Sequence, residues 1–371
     1  MDNLTHTLFA VTLARTPLGR AGRGTMAALV IASNIPDIDI VAAARDRVAY
    51  LAWHRGPTHG PLGLVGLGLT TAGIVSIGRR MLDARRSGGE PAPSRNASFG
   101  MLVSISMIGV MFHVLMDLPT SYGTRLLIPF DWRWFAVDWL PIIDIYLWMI
   151  LGIGLVLAEL STASRHRIAA IVLMCVAANY GVRAIAHREA LALAPRLFGP
   201  HLPPPCDPQT ARSPLVDDWP RARVVPPAAP GKACLVEIAA LPTFVSPFRW
   251  RVVAHLWNAY ELHEIDVLDS RFQRPADGAE AFWRRSVRYP NVWTPPVAAA
   301  AATRTGRVFL GFSRFPAARS FVDPAGLATV RWNDVRFAGG IYSMNDRRPD
   351  PFAVVIRIGP DGHVVDETLG R

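Results

Sequence analysis

The sequence predicts an α-helical polytopic membrane domain of about four to six helices, some short or re-entrant, followed by a small β-rich soluble domain. Three observations carry that expectation. Hydrophobic residues make up 51% of the 371-residue chain and the mean hydropathy is +0.23, both high for a soluble protein of this length. Apolar residues of the first half gather into runs long enough to cross a bilayer, whereas those after residue 233 fall in short stretches rich in Val, Phe, Trp and Arg. A proline-rich connector lies between. The expected organisation is a membrane domain over 1–194, a linker over 195–232 and a β-rich extramembrane domain over 233–371.

Residues 4–14 (LTHTLFAVTLA) are apolar but too short to span. Residues 25–44 (TMAALVIASNIPDIDIVAAA) have the length, but Asn34, Pro36, Asp37 and Asp39 interrupt them. Acids at the centre of a lipid-facing helix are costly, so this segment is expected to be broken, re-entrant or turned into a polar cavity. Spans are expected near 62–78, 99–118, 139–158 and 168–186, each close to the ~20 residues that cross as helix. Loop arginines set the orientation. Arg15, Arg20 and Arg23, then Arg79, Arg80, Arg85, Arg86 and Arg95, then Arg165 and Arg167 can all be cytoplasmic together. That places residues 45–61, 118–138 and everything after 187 on the outer side. The lipid bilayer is the first expected partner, and Trp132, Trp134, Phe135, Trp139 and Trp148 fit an interfacial belt.

Within the connector, HLPPPCDPQ and VVPPAAPGK disfavour helix and sheet alike. Beyond it, FRWRVVAHLW, RVFLGFSRF, ATVRWNDVRF and FAVVIRIGPDGHVVDETL read as strands, the last folded back at Pro360-Asp361-Gly362. Cys175 sits in an apolar run and is expected to be packed there, while Cys206 and Cys234 can pair if their compartment is oxidising. No CxxC spacing suggests cysteine-based zinc or redox chemistry. The net charge of +10 is almost wholly arginine, Lys232 being the single lysine, and reads as compositional bias; no nucleic-acid partner is expected. The start, Met1-Asp2-Asn3, has no basic region before its apolar stretch, so insertion is expected to use the internal segments.

The chemistry concentrates in the first 117 residues. His113 and Asp117 are four apart on an apolar helical run, so they project from one face as two ligands of one metal, a histidine oriented by an acid, or a polar pair joining helices. Asp37 and Asp39 follow Pro36 and would lie about 200° apart on a helix, so a turn is expected and a shared metal is not. His54 and His59 are five apart across Gly56-Pro57 in WHRGPTHGPLG, reachable from a loop. His6 lies beside Asn3 and Thr7 on the short first segment. Neutral imidazoles and carboxylates are the ligand set of a divalent metal, zinc above all, and a metal offsets the cost of acids at membrane depth. The expected ligands are His59, His113 and Asp117, with His6, Asp39 and His54 at a second metal or supporting the first. Asp37 is expected as ligand or general base, and Arg55 and Arg125 as planar donors to a phosphate oxygen or to lipid headgroups. Thr58, Thr120, Ser121 and Thr124 are expected to orient ligands or cap helices.

MDNLTHTLFA, NIPDID, HRGPTH and HVLMDLPTSYGTRLLIPF, in that order over roughly the first 190 residues, resemble the signature blocks of the membrane-bound metal-dependent hydrolases that include the LexA-regulated YdjM-like inner-membrane proteins. That family is remotely similar to zinc-dependent phospholipases C and P1-type nucleases, whose HxxxD ligand pair corresponds here to His113 and Asp117. The resemblance implies upstream ligands at Asp37 or Asp39, at His54 or His59, and at His6. No HxxxE pair follows His113 in the membrane domain, although Asp138 and Asp144 can replace part of it, so one or two metals are expected rather than three. The resemblance implies a multi-pass metal-dependent hydrolase of the bacterial inner membrane; the arginine orientation places its β domain outside the cytoplasm, and a site opening at the outer leaflet favours a phospholipid or other phosphoester as substrate. Two alternatives stay open: a non-catalytic scaffold whose β domain binds a partner, and a transporter using Asp37, Asp39, Asp138 and Asp144 as an ion path.

Overall fold

The computed structural model describes residues 1–85, 96–197, 203–206, 215–221, 234–269, 286–337 and 352–370. It divides into two compact units, Met1–Val41 with His54–Ala184, and Ala42–Trp53 with Ile185–Arg371.

The first unit is helical. Helices α1 (Asn3–Ala14) and α2 (Thr25–Ala32) are followed by a 3₁₀ stretch, Ile35–Ala44. Helix α3 (Arg47–Trp53) counts with the second unit; the first continues with α4 (Pro61–Ala84), α5 (Phe99–Asp117), a short strand β1 (Trp134–Ala136), α6 (Ile145–Leu160) and α7 (Arg165–Leu197) as far as Ala184. Helices α4, α5 and α7 are long and apolar enough to cross a membrane, and α2 with the 3₁₀ stretch, bent by 44°, makes a fourth if taken as one broken span. The break falls where NIPDID predicts it, since Asn34 turns its amide back to the Val30 carbonyl at 2.8 Å and Pro36 cannot continue the ladder.

Local sequence explains the helix ends. Pro61 occupies the first turn of α4, where its missing N–H is no loss, and Ser98 caps α5 by accepting from the Met101 amide. Helix α6 begins later than the expected 139–158 span because Asp144 caps it, accepting from the Tyr146 and Leu147 amides. Its 16 residues cover about 24 Å, short of a ~30 Å hydrocarbon core.

Leu29, Leu102, Ile105, Leu147 and Leu151 form the centre of this unit. A Cβ on Gly109 would lie 2.7 Å from Ala32 Cβ, so glycine lets α5 approach α2 closely. The arginine-bearing ends meet at one end of the bundle. Arg79 donates to the Arg23 and Ala97 carbonyls at 2.6 and 2.9 Å, Arg23 pairs with Asp83 at 2.9 Å, and Arg15 pairs with Glu159 at 2.7 Å. Arg86 and Arg95 lie outside the described residues. Two expectations change here. Cys175 is exposed on the outer face of α7 rather than packed, and Trp134 is fully buried beneath Arg125 rather than part of an interfacial belt.

The second unit is β-rich. Besides the short β2 (Asp217–Trp219), it contains an antiparallel sheet of β3 (Leu235–Pro242), β4 (Arg249–Leu256), β5 (Ala259–Asp266) and β6 (Ser286–Pro290) in sequential order. After α8 (Pro295–Ala301) and α9 (Arg304–Phe312), strands β7 (Pro316–Val322), β8 (Ala328–Asp334), β9 (Ala353–Ile358) and β10 (Val364–Leu369) form a second. The β9–β10 hairpin turns at Pro360-Asp361-Gly362, with Gly362 at φ 83° as the turn requires. Ala186, Ala190, Leu193, Ala194 and Leu197 of α7 pack with Trp250, Val252 and Ala254 of β4. RVFLGFSRF is helical through Phe312 instead of a strand: Thr303 caps the segment by accepting from the Gly306 amide, and Thr305, Phe309 and Phe312 fall on one buried face. Of the linker, the described part includes a Cys206–Cys234 disulfide with Cα atoms 4.9 Å apart.

Candidate metal centre

The end of the helical bundle away from the paired arginines gathers the predicted polar residues. The last turn of α5 presents His113 and Asp117, four apart on one face, and the Asp117 carbonyl is closed off by the Thr120 hydroxyl at 2.7 Å. The loop ahead of α4 delivers His59, whose amide donates to the Gly56 carbonyl at 2.9 Å. A Cβ on the following Gly60 would collide with the Ile128 carbonyl, so the loop can tuck His59 inward only with glycine there. The 3₁₀ stretch after α2 brings Asp37 over the cluster, and Asn34 bonds Thr7 of α1, fixing the register that turns His6 inward.

Three donor atoms stand in a near-equilateral triangle. His59 Nε2 and His113 Nε2 are 3.2 Å apart, and Asp117 Oδ2 lies 3.5 and 3.4 Å from them. Tetrahedral ligands bonded at about 2.0–2.1 Å are separated by about 3.3–3.4 Å, so this is the spacing that one small divalent ion demands. Asp37 Oδ1 extends the set, 3.8 Å from His59 Nε2 and 3.6 Å from His113 Nε2. His6 lies on the other side of Asp117, with Nε2 3.6 Å from Oδ1 and its ring stacked on that of His113 at 4.0 Å. The Met1 amino group also contacts Asp117 Oδ1.

Ring orientation is set from behind. The Ser33 carbonyl receives His113 Nδ1–H at 2.8 Å, which leaves Nε2 as a lone pair directed at the cluster. Thr58 Oγ1 meets His59 Nδ1 at 3.0 Å. Burial, with His113 and Arg55 nearby, holds the His59 imidazole well below its ordinary pKa and therefore neutral. Both ring nitrogens of His6 and Asp117 Oδ2 are buried without a hydrogen-bond partner, an arrangement that costs about 1–3 kcal/mol per group unless something coordinates them. Two imidazoles and one or two carboxylates are a zinc-type donor set; a cation in the triangle would satisfy Asp117 Oδ2, and the lone pair of His6 Nε2, on the side of Oδ1, would take a second.

The remaining predicted residues divide. Asp39 and His54 are outside the donor clusters and bond each other, Asp39 Oδ1 to His54 Nδ1 at 3.3 Å. Asp39 also accepts the Arg55 amide at 2.6 Å and lies 4.0 Å from His59 Nδ1, so it braces the loop behind a candidate ligand. Burial lowers the His54 pKa against the opposing pull of Asp39. Arg55, in left-handed backbone at φ 50°, donates to Asp117 Oδ1 at 3.0 Å and to the Gly123 carbonyl at 2.5 Å, above the Tyr122 ring. Arg125 is buried in the 118–138 loop against Trp134; burial lowers its pKa to about 10, so it keeps its charge at neutral pH. Asp138 is buried in left-handed backbone at φ 61°, its neighbours Val137 and Trp139 donating to the Leu118 and Pro119 carbonyls just past Asp117, and Asp144 pairs with Arg183 at 2.7 Å, both fully buried, beside its capping role at α6; among the described residues neither joins a donor cluster. The Ser33 carbonyl, the Gly123 carbonyl and Tyr122 were not anticipated, because backbone acceptors and a ring beneath a guanidinium leave no spacing signal in a sequence.

No curated protein and no solved structure matches the chain. The family model described as YdjM inner membrane protein matches residues 1–190, which hold every donor of the cluster. The helical unit with its apolar spans and its histidine–aspartate cluster is thus the part of the chain this family describes, and the chain belongs to the YdjM inner membrane protein family.

Proposed function

We propose that this inner-membrane protein is a metal-dependent hydrolase acting on a phosphoester, with its site at the outer face of the membrane. The observation that carries the reading is the triangle of His59 Nε2, His113 Nε2 and Asp117 Oδ2, with edges of 3.2–3.5 Å at one end of apolar helices. A divalent cation held there, zinc being the best match to the donors, lowers the pKa of a water it binds towards neutrality and polarises a phosphoryl oxygen. His59, His113 and Asp117 would hold it, and His6, facing the far oxygen of Asp117, would serve a second ion or support the first. Asp37, whose side chain keeps 20% of its exposure while the others are sealed, is the carboxylate placed to take a proton from the attacking water. Arg55, engaged with Asp117 and the Gly123 carbonyl, holds that ligand in position, and Arg125, which keeps its charge, is the guanidinium offered to a phosphoester oxygen.

The outer-face assignment rests on the cluster lying opposite the end where Arg15, Arg23 and Arg79 are tied together, the pattern expected of a cytoplasmic end. The Cys206–Cys234 disulfide supports an oxidising compartment for the C-terminal unit. A site at the mouth of a bundle in a bilayer favours an amphipathic substrate, a phospholipid being the nearest.

Metal content by plasma mass spectrometry on detergent-purified protein, beside a His113→Ala/Asp117→Ala variant of unchanged helicity, tests the reading. Near-stoichiometric zinc in the wild type and its loss in the variant support it. No metal in either after incubation with zinc overturns it and favours a non-catalytic scaffold.

A further inference from the structure

We propose that the C-terminal β unit carries a second binding site, independent of the metal cluster, for a neutral saccharide of one or two rings. A cavity of about 300 Å³ opens between β3, the β4–β5 turn, the end of β6 and the segment after α9. That volume is at the small end of the range for small-molecule sites. Its apolar walls include the half-buried indoles of Trp257 and Trp293. Its polar rim includes Glu237, His255, Arg221 and Asn291.

The charges around this cavity are already balanced. Arg314 pairs with Asp217 at 2.8 Å, Arg221 with Asp217 and Glu237 at 3.2 Å each, and His255 Nδ1 lies 3.6 Å from Glu237 Oε1. An anion such as phosphate or a carboxylate would find positive charge already neutralised by neighbours. A flat hydrocarbon ring cannot pair with His255 Nδ1, which is buried without a hydrogen-bond partner among the described residues, whereas a hydroxyl can. A sugar ring matches both features: its C–H faces lie against indole, and its edge hydroxyls both donate and accept.

The walls are held rigidly. The Trp257 amide donates to the carbonyl of Cys234, half of the disulfide, at 3.2 Å. The Asn291 side chain accepts from the Ala318 amide at 3.3 Å and reaches the Tyr260 hydroxyl at 3.4 Å, and the Tyr260 ring stacks on His255 at 4.5 Å. A site fixed in advance loses little conformational entropy on binding, as recognition of a weakly interacting neutral ligand needs.

Saturation-transfer NMR on the full chain in a sugar-free detergent tests the proposal with glucose, galactose, N-acetylglucosamine, maltose and cellobiose, and with benzoate and inorganic phosphate as controls. Saturable binding of at least one sugar is expected, weakened about tenfold or more in Trp257→Ala and in Trp293→Ala and unchanged in His113→Ala. A matching thermal transition shows each variant folded, and Glu237→Gln, which keeps the side-chain shape, serves if an indole variant does not fold. No saturable sugar, sugar binding that survives every pocket variant, or binding of benzoate or phosphate alone overturns it. Because His113→Ala leaves this site intact, its failure is separate from failure of the hydrolase reading.

Discussion

Replacing Asp39 with asparagine separates the residues that would hold a metal from those that hold the ligands. Asp39 reaches neither donor cluster, yet its carboxylate lies 4.0 Å from the rear nitrogen of His59, 3.3 Å from His54 Nδ1 and 2.6 Å from the Arg55 amide. Asparagine preserves the volume and the acceptor for the Arg55 amide but removes the negative charge that raises the basicity of the imidazole. Carboxylates that accept the rear N–H of a metal-bound histidine contribute 10–100-fold in affinity, or about 1.4–2.7 kcal/mol, and this range is an upper bound for Asp39 because Thr58 Oγ1, at 3.0 Å, is the nearer partner of that nitrogen. At a zinc concentration of about 100 times the wild-type Kd, metal stabilises the wild-type fold by about 2.7 kcal/mol; a variant weakened over that range retains about 1.4 to 0.4 kcal/mol at the same concentration. Competition against a chromophoric chelator, with helicity followed by circular dichroism, measures this. Unchanged affinity would show that Asp39 only pins the loop. Complete loss of zinc with helicity retained would make Asp39 itself a ligand and refute the arrangement derived above.

Gly109→Val is expected to push α5 away from α2, since even a Cβ meets Ala32 at 2.7 Å; helicity survives, but zinc content falls because His113 leaves the Ser33 carbonyl, and a variant with full zinc would contradict this. Phe309→Ala, at a fully buried position of α9, should destabilise the β unit by about 3–5 kcal/mol, seen as an early transition in denaturant followed by near-ultraviolet dichroism. Burial alone would raise the Glu237 pKa, but Arg314, His255 and Arg221 hold it at about 2 against an ordinary 4.5. A folded pKa below the unfolded one means that this stabilisation, on the order of 3 kcal/mol, is complete above pH ~4.5 and lost as pH falls towards ~2. Acid titration of the wild type should show that loss, and Glu237→Gln should flatten it.

Covalent geometry alone accounts for one part of this arrangement. Four residues are just over one helical turn, so HVLMD places His113 and Asp117 on one face before any packing is known, and Pro-Asp-Gly turns the last hairpin because glycine accepts φ 83°. Apolar runs of about 20 residues point to helices at a bilayer, since a helix satisfies its backbone hydrogen bonds within one segment whereas shorter strands need a closed barrel. Which polar groups share a point in space depends on packing between elements. Asp37 and Asp39 are two residues apart in one acidic motif, yet one faces the donors and the other braces the loop, because the 3₁₀ path after α2 separates their directions. His54 and His59 part company for a similar reason: Gly60 admits the tuck that buries His59, while His54 stays with Asp39. RVFLGFSRF carries enough β-branched and aromatic residues to read as a strand, and it is a helix because a threonine cap and one buried face against its own unit outweigh that preference. Arg55 has the composition of a phosphate clamp, but its partner, Asp117, lies 62 residues away, and only folding brings that carboxylate within 3.0 Å. Local spacing is written in the chain; the meeting of distant segments depends on packing between elements, where one glycine or one backbone carbonyl decides the outcome.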